Sequence, residues 1–307
     1  MFLTRLMTIV LTFAMLCPDW ARAEDAVPAE KPTYTLRYKF NQGEKIGYHI
    51  KSIDRNKMER GAYAESSQNR SDYRNHIEVL EVKDNGNAVL VVQIDQAIME
   101  TKFDENPPIV FDSTNPDKQP AQFSQVKESI GKPSSKATVT TAGELIEIQN
   151  LRPDPKNHDR PAEPAKKDAS QNFLVRLPEN AVSIGDSWDE DYQITIDGGG
   201  MPLPLKMKRT FKLTKVEDHL ATISMKSGVL SPINSPEVEA RTIQQAPSCE
   251  IVFDMKAGQI VKRNWSVNKV VIGGFGPNTS FKVVSLREDT LVPAKLTDAS
   301  QSTAKAN

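Results

Sequence analysis

Residues 187–212 read SWDEDYQITIDGGGMPLPLKMKRTFK, and this stretch decides the fold class. Large apolar residues occupy alternate positions in its first part: Trp188, Tyr192, Ile194 and Ile196. The positions between them are acidic or polar, and a period of two is typical of a β strand with one buried face. Glycines 198–200 supply a turn, and a second alternating segment follows. We therefore expect an antiparallel hairpin whose apolar face covers a core.

This hairpin region is strongly charged. It contains an acidic stretch made of Asp186, Asp189, Glu190, Asp191 and Asp197. The returning segment carries the lysines, which are Lys206, Lys208 and Lys212. Antiparallel pairing sets opposite charges side by side, and each pair contributes about 0.2–1 kcal/mol. The stretch lacks the Asp-x-Asp-x-Asp-Gly spacing of a calcium loop. It therefore predicts a cross-strand charge ladder and no metal site.

The same alternation recurs along the chain and predicts a mainly β protein built of antiparallel strands. One predicted strand face combines Leu90, Val92, Ile94 and Ile98. Another combines Val261, Arg263, Trp265 and Val267. Turn signals occur at residues 84–87, 141–143 and 256–258.

Two short helices interrupt the strand pattern. Ala121–Ile130 has apolar residues at helical spacing and is followed by Gly131, a residue typical of helix ends. Ser235 and Pro236 resemble an N-cap and first helical residue, so a second helix is expected from there to about Gln245.

Polar, proline-containing segments divide the chain into two halves. Residues 24–33 form a leader, residues 152–171 a charged linker, and residues 294–307 a polar tail, none of which has apolar periodicity. The halves between them are residues 34–151 and 172–293. Both halves run in the same order, through strands, a loop with a short helix, and a final hairpin. The sequence thus predicts two duplicated halves of curved antiparallel sheet, each with one helix on its concave side.

The N-terminus predicts export. Arg5 precedes an apolar run over residues 6–17, and Ala-Arg-Ala at 21–23 has small residues where a signal peptidase cuts. We predict a signal helix and Sec signal peptide over residues 1–23, with the mature protein in the periplasm or outside the cell. Lipidation of Cys17 is disfavoured, because a large residue precedes it and proline follows it.

Composition excludes some classes of function. The 307 residues include 39 Lys and Arg against 40 Asp and Glu, so the net charge is -1. A dedicated nucleic-acid binder would carry a basic excess, so no nucleic-acid partner is expected. After signal cleavage no apolar stretch approaches the roughly 18 residues that a transmembrane helix needs.

The chain shows no catalytic motif. The histidines are dispersed at His49, His76, His158 and His219, and the chain has one cysteine besides Cys17. These residues do not occur at the spacing of zinc ligands. That cysteine, Cys249, is expected to be a buried small apolar residue. Ser187 follows Gly-Asp as in GDSL-type esterases but leads into a strand, not a helix. We therefore predict no catalytic residue, no cofactor and no metal; a serine hydrolase using Ser187 is a minor alternative.

Three runs resemble one group of proteins. They are LRYKFNQGEK at residues 36–45, VSIGDSW at 182–188 and FGP at 275–277. They resemble uncharacterised exported proteins of planctomycete bacteria. The resemblance implies a secreted, β-rich protein and identifies no functional residue.

Two functions are compatible with this pattern. The first is a non-catalytic exported envelope protein that binds an apolar ligand, a lipid or a lipidated partner on a concave sheet surface. The residues expected to face such a ligand are Ile194, Trp265 and Val267. The second is a structural or protein-interaction module without a small-molecule site.

Overall fold

The computed structural model describes residues 31–151, 164–165, 173–197 and 200–293. The predicted signal peptide, most of the leader and linker, and the tail lie outside the described residues. From Pro32 onward the described chain forms one compact unit. The strands of the first half are β1 (Thr33–Tyr34), β2 (Lys45–Arg60), β3 (Tyr63–Val82), β4 (Ala88–Phe103), β5 (Ile109–Asp112), β6 (Pro133–Val139) and β7 (Leu145–Asn150).

The remaining strands begin within the predicted linker and continue through the second half. They are β8 (Pro164–Ala165), β9 (Val182–Ser183), β10 (Ser187–Asp197), β11 (Pro202–Glu217), β12 (Leu220–Val229), β13 (Ser248–Asp254), β14 (Gln259–Ile272) and β15 (Thr279–Pro293). The helices are α1 (Ser124–Ser129) and α2 (Pro236–Thr242). Strands dominate the described residues, so the prediction of a mainly β antiparallel fold is confirmed.

One large sheet unites the two predicted halves. Strands β10 to β15 follow one another as antiparallel neighbours, β15 pairs with β2, and the sheet continues through β3, β4, β6, β7 and β8. The β15–β2 pairing runs from Thr279 opposite Arg60 to Pro293 opposite Ile46. In the first half β2, β3 and β4 are followed by β5, a helix, β6 and β7, whereas in the second half β10, β11 and β12 are followed by a helix and then β13, β14 and β15. The two orders agree in part, and the duplication stays a prediction.

Both predicted helices are present, although each is partly a 3₁₀ turn. The first comprises a 3₁₀ turn at Ala121–Phe123 and then α1. The second, α2, continues as a 3₁₀ turn at Ile243–Gln245. The Ser235 hydroxyl accepts a hydrogen bond from the Val238 backbone N–H at 3.2 Å, as predicted for an N-cap.

The core face of the sheet carries the main hydrophobic cluster, to which both halves contribute. Ile50 and Leu90 of the first half and Phe211 and Phe253 of the second are at most 2 % exposed. Two segments without long strands, residues 34–40 and 173–182, complete this cluster. They are joined where the Tyr38 hydroxyl donates to the Val175 carbonyl at 3.1 Å and accepts from the Val175 N–H at 3.0 Å.

The β10–β11 hairpin forms the predicted charge ladder in part. Lys208 lies 2.9 Å from Asp189 and 3.8 Å from Asp191. Lys206 and Lys212 face Gln193 and Ser187 instead, because the register of the hairpin offers them no carboxylate. Strand β10 is an end strand of the sheet, and charged residues on such a strand discourage pairing with another chain.

A bulge corrects one predicted strand face. Ile94 pairs with Asn75, but Gln96 pairs with Arg74, so Asp95 is an extra residue in β4. An extra residue inverts the alternation beyond it. Ile98 therefore lies on the face opposite to Leu90, and the prediction that the two share one face was wrong.

The helices in the described part of the chain are short, and none of them has the length and apolar character that a membrane-spanning helix needs.

Candidate functional site: a groove on the outer face of the sheet

The face of the sheet turned away from the core contains a depression of about 1000 Å³, which we call the outer groove. Two rows of side chains, each running across neighbouring strands, define it. The first row is Ser248, Ser266, Leu286, Ile53, Arg70 and Glu100. The second row is Glu250, Asn264, Glu288, Lys51, Asp72 and Ile98.

The outer groove runs across the strands of the sheet. Its lining comes from seven adjacent strands, β12 to β15 and β2 to β4. Adjacent strands lie about 4.8 Å apart, so these seven strands span about 29 Å. Helix α2 packs on the opposite, core face against Val267. The prediction of a concave sheet surface with a helix on it stays a prediction.

The centre of the outer groove is apolar. Leu286 of β15 lies directly opposite Ile53 of β2, and Ile98 of β4 lies one row away. Leu286 is 46 % exposed and Ile98 is 38 % exposed. Exposed apolar side chains are common singly, but a group of them in one depression is typical of binding surfaces. Ser248 and Ser266, which continue the row beyond Leu286, are small and leave the depression open.

Charged side chains surround this apolar centre and pair with one another. The imidazole Nε2 of His49 lies 2.6 Å from Oδ1 of Asp72. The Lys262 ammonium lies 2.7 Å from the Glu288 carboxylate, and this hydrogen bond holds the pKa of Glu288 below its ordinary value. These pairs are exposed, so each contributes little to stability. They do fix the positions of charged groups around the groove.

A buried ionic network supports the strands beneath the outer groove. Asp289 is fully buried on the core face and binds Nη2 of Arg263 at 2.8 Å and Nε of Arg287 at 2.6 Å. Burial opposes the charge of Arg287, but the hydrogen bond to Asp289 and the charges of neighbouring groups together outweigh burial and raise the pKa of that guanidinium. Arg263 also donates to the Phe173 carbonyl at 2.8 Å. The network thus joins β14 and β15, which form the floor of the groove, to the core segment at residues 173–182.

The predicted ligand-facing residues lie in three different environments. Ile194 is 8 % exposed, in a cluster with Leu205 and Met207. Val267 is 6 % exposed and packs under helix α2 against Ala240. The Trp265 side chain lies on the core face of the sheet and packs against the main core, whereas its backbone borders the outer groove. The structure thus does not bring the three together, and their contact with a ligand stays a prediction.

The alternative of a serine hydrolase finds little geometric support. Ser187 begins β10 opposite Lys212, and no described histidine hydrogen-bonds to its hydroxyl. His76 is buried and lies 2.8 Å from Asp95, but no described serine or cysteine completes this pair as a nucleophile. Cys249 is buried as predicted, and burial raises the pKa of its thiol to about 12. Within the described residues no cluster of His, Cys, Asp and Glu could hold a metal ion.

Sequence reasoning missed the central residues of the outer groove. Ile53 and Leu286 alternate with charged neighbours and give no signal of a shared site. They meet only because β15, near the end of the chain, pairs with β2, near its beginning. Ile98 joins them only because of the bulge at Asp95. The sequence signal that could have indicated this site was a single apolar residue on the otherwise polar face of each strand.

Residues 163–259 match the model of one protein family, DUF6263, which is described as a family of unknown function. The match covers about a third of the chain, from the predicted linker to the start of β14. No curated protein sequence matches the chain. The resemblance to exported planctomycete proteins remains an expectation.

Three solved structures give weak matches to this chain. A lipovitellin structure, described by its lipid–protein interactions, has a TM-score of 0.47 at 10 % identity; the match covers 84 % of this chain and 26 % of lipovitellin. This chain thus spans about a quarter of the lipovitellin chain. The translocator domain of autotransporter NalP from Neisseria meningitidis has a TM-score of 0.30 at 8 % identity, with 81 % and 89 % covered. A DUF1329 family protein from Desulfovibrio piger has a TM-score of 0.17 at 11 % identity, with 82 % and 86 % covered.

Proposed function

We propose that this protein is a non-catalytic exported binding protein whose outer groove holds an apolar ligand, such as a lipid or the acyl chain of a lipidated partner. The observation that carries the proposal is an apolar group in a depression of about 1000 Å³, in which Leu286 and Ile98 are exposed and Ile53 is half-buried. Sites for small molecules typically have volumes of about 300–1000 Å³ and apolar linings with a few polar groups at the edge.

The arrangement of the two sheet faces supports this proposal. The core face already buries the large apolar residues of both halves, among them Phe211 and Phe253. The apolar residues of the outer groove are not needed to complete that core, because they point away from it. Leaving them exposed to water is unfavourable by about 25 cal/mol per Å² of apolar surface. An apolar ligand would remove this surface from water.

Export is part of the proposal and rests on the sequence of residues 1–23. A ligand-binding protein outside the cytoplasm would meet lipids or lipidated proteins of the cell envelope. Fractionation of cells that express the full chain, with N-terminal sequencing of the product, tests this. A product that begins at residue 24 in the envelope or medium supports export, and an uncleaved product in the cytoplasm refutes it.

Fluorescence titration with N-phenyl-1-naphthylamine, a neutral apolar probe, tests the groove. We expect the purified protein to bind it and Leu286→Ser to bind it about tenfold more weakly, because the leucine side chain contributes about 1–2 kcal/mol of apolar contact. The matched control is Leu80→Ser, since Leu80 is 40 % exposed and lies outside the groove. Equal affinities of the two variants would place the probe elsewhere and refute the proposal.

A second candidate function, a protein-interaction module, is favoured by one observation. Exposed apolar residues gather at the end of the β14–β15 hairpin, where Val270 is 51 %, Ile272 68 % and Phe275 40 % exposed. Such a patch is typical of protein contacts. Sedimentation of the wild type and of Ile272→Ser tests whether this patch mediates self-association. Self-association that the substitution abolishes supports the candidate. A wild type that sediments as a monomer, unchanged by the substitution, refutes self-association through this patch.

A further inference from the structure

A second depression of about 400 Å³, which we call the basic end, lies further along the strands on the same face of the sheet as the outer groove. Arg55 and Lys57 follow Ile53 on the same face of β2, and both line this depression. Lys282 of β15 lines it as well. At about 3.3 Å per residue, Lys57 is about 13 Å along the strand from Ile53. The outer groove and the basic end therefore form one surface with an apolar part and a charged part.

Two lysines stand side by side at the basic end. Lys57 and Lys282 are direct cross-strand neighbours, an arrangement of like charges that destabilises a sheet. Lys57 lies 2.6 Å from Glu59, whose pKa is lowered first by that hydrogen bond and then by the charges of both lysines. Lys282 pairs with no carboxylate among the described residues. Within the described part of the chain, Arg55 donates only to the neutral Gln68 amide, at 3.0 Å.

The carboxylates of the basic end do not cancel its positive charge. Asp104 accepts hydrogen bonds from the backbone N–H of Ser66 at 2.6 Å and from its hydroxyl at 3.2 Å. Glu105 points into solvent and lies 3.9 Å from Lys102. Basic side chains therefore outnumber acidic ones here. In the outer groove the two kinds are balanced.

We propose that the outer groove and the basic end together bind a single-chain anionic amphiphile, a long-chain carboxylate. Its chain lies along Ile53 and Leu286, and its head group lies between Lys57 and Lys282. This inference rests on the proposed function, because the chain occupies the same groove. The head group separates two ammonium groups that otherwise repel each other, so an anion is favoured over a neutral head. The attraction acts at an exposed site and is screened by salt.

Competition against N-phenyl-1-naphthylamine tests the head group. The competitors are hexadecanoate, its methyl ester and hexadecyltrimethylammonium, each kept below its solubility limit or micelle concentration. The three share one chain and differ in charge. We expect hexadecanoate to displace the probe at about tenfold lower concentration than the ester, and the cation to be the weakest. In Lys57→Gln/Lys282→Gln the preference for hexadecanoate over the ester should disappear, whereas affinity for the ester is kept. In 0.5 M NaCl the wild type should also lose most of the preference.

The matched control is Lys215→Gln/Lys256→Gln, which removes the same charge elsewhere; Lys215 lies 2.6 Å from Glu217, as Lys57 does from Glu59. This control should keep the preference. Equal displacement by carboxylate and ester, or a preference that survives in the Lys57/Lys282 variant, overturns the inference and leaves the proposed function standing. Failure of the probe itself to bind the wild type overturns both.

Discussion

Asp289 offers the sharpest test of how the sheet is held together beneath the outer groove. Its carboxylate is fully buried and joins two guanidinium groups, of Arg263 and Arg287, at 2.8 and 2.6 Å. Asp289→Asn keeps the shape of the side chain and removes its charge, so two cations remain without their shared counter-ion. Removing one partner of a buried pair typically destabilises a protein by about 3–5 kcal/mol. For a protein of this size we expect the melting temperature to fall by on the order of 10 °C.

Thermal unfolding followed by circular dichroism measures this effect. The matched control is Asp189→Asn, which breaks the exposed pair with Lys208 at 2.9 Å and should reduce stability by at most about 1 kcal/mol. Replacing all three network residues by apolar ones, as Asp289→Leu with Arg263→Met and Arg287→Met, should restore much of the loss. If Asp289→Asn unfolds within 2 °C of the control, the idea that this carboxylate neutralises a buried charge is refuted.

Three further predictions follow from the core. Gly143→Ala should destabilise the protein, because a Cβ at residue 143 would lie 2.3 Å from the Val175 carbonyl oxygen. Urea unfolding measures the loss, and the control is Gly61→Ala, where an added Cβ would meet nothing within 4 Å. Burial raises the pKa of Tyr48 from 10.0 to about 12, so stability present below pH 10 should be lost as the pH rises towards 12, because the unfolded tyrosine ionises first. Melting temperatures of Tyr48→Phe should show a smaller decline over that range. Burial likewise raises the pKa of Cys249 from 9.0 to about 12. Iodoacetamide should therefore label this thiol at least about a hundredfold faster in urea than in the native protein. Equal labelling rates would contradict the burial of Cys249.

Strand class was predictable because alternation is a local property. The apolar positions of residues 187–212 identify a buried face without knowledge of its partners. The N-cap at Ser235 is equally local, since one hydroxyl and one backbone N–H three residues later decide it. Elements whose signals lie within a few residues were therefore predicted well.

Pairing over long distances was not predictable. The sequence separates the halves at residues 152–171, yet β15 pairs with β2 over most of the length of both strands. Neither strand carries a residue that specifies the other, because backbone hydrogen bonds are the same for every partner. Likewise, residues 34–40 and 173–182 have no regular periodicity, and they join the core through single contacts such as that of Tyr38 with Val175. The candidate site depends on the first of these pairings and was therefore missed.

The two faces of the sheet separate stability from binding. Residues of the core face, such as Phe253, are buried by the rest of the chain, and substitutions there act on folding first. Leu286 and Ile53 point to the other face and lie partly in solvent, so their truncation removes little buried surface. Outer-face variants should consequently change ligand affinity while the free energy of unfolding stays within about 0.5 kcal/mol. Loss of binding without loss of stability at these positions would distinguish a binding surface from a merely exposed part of the core.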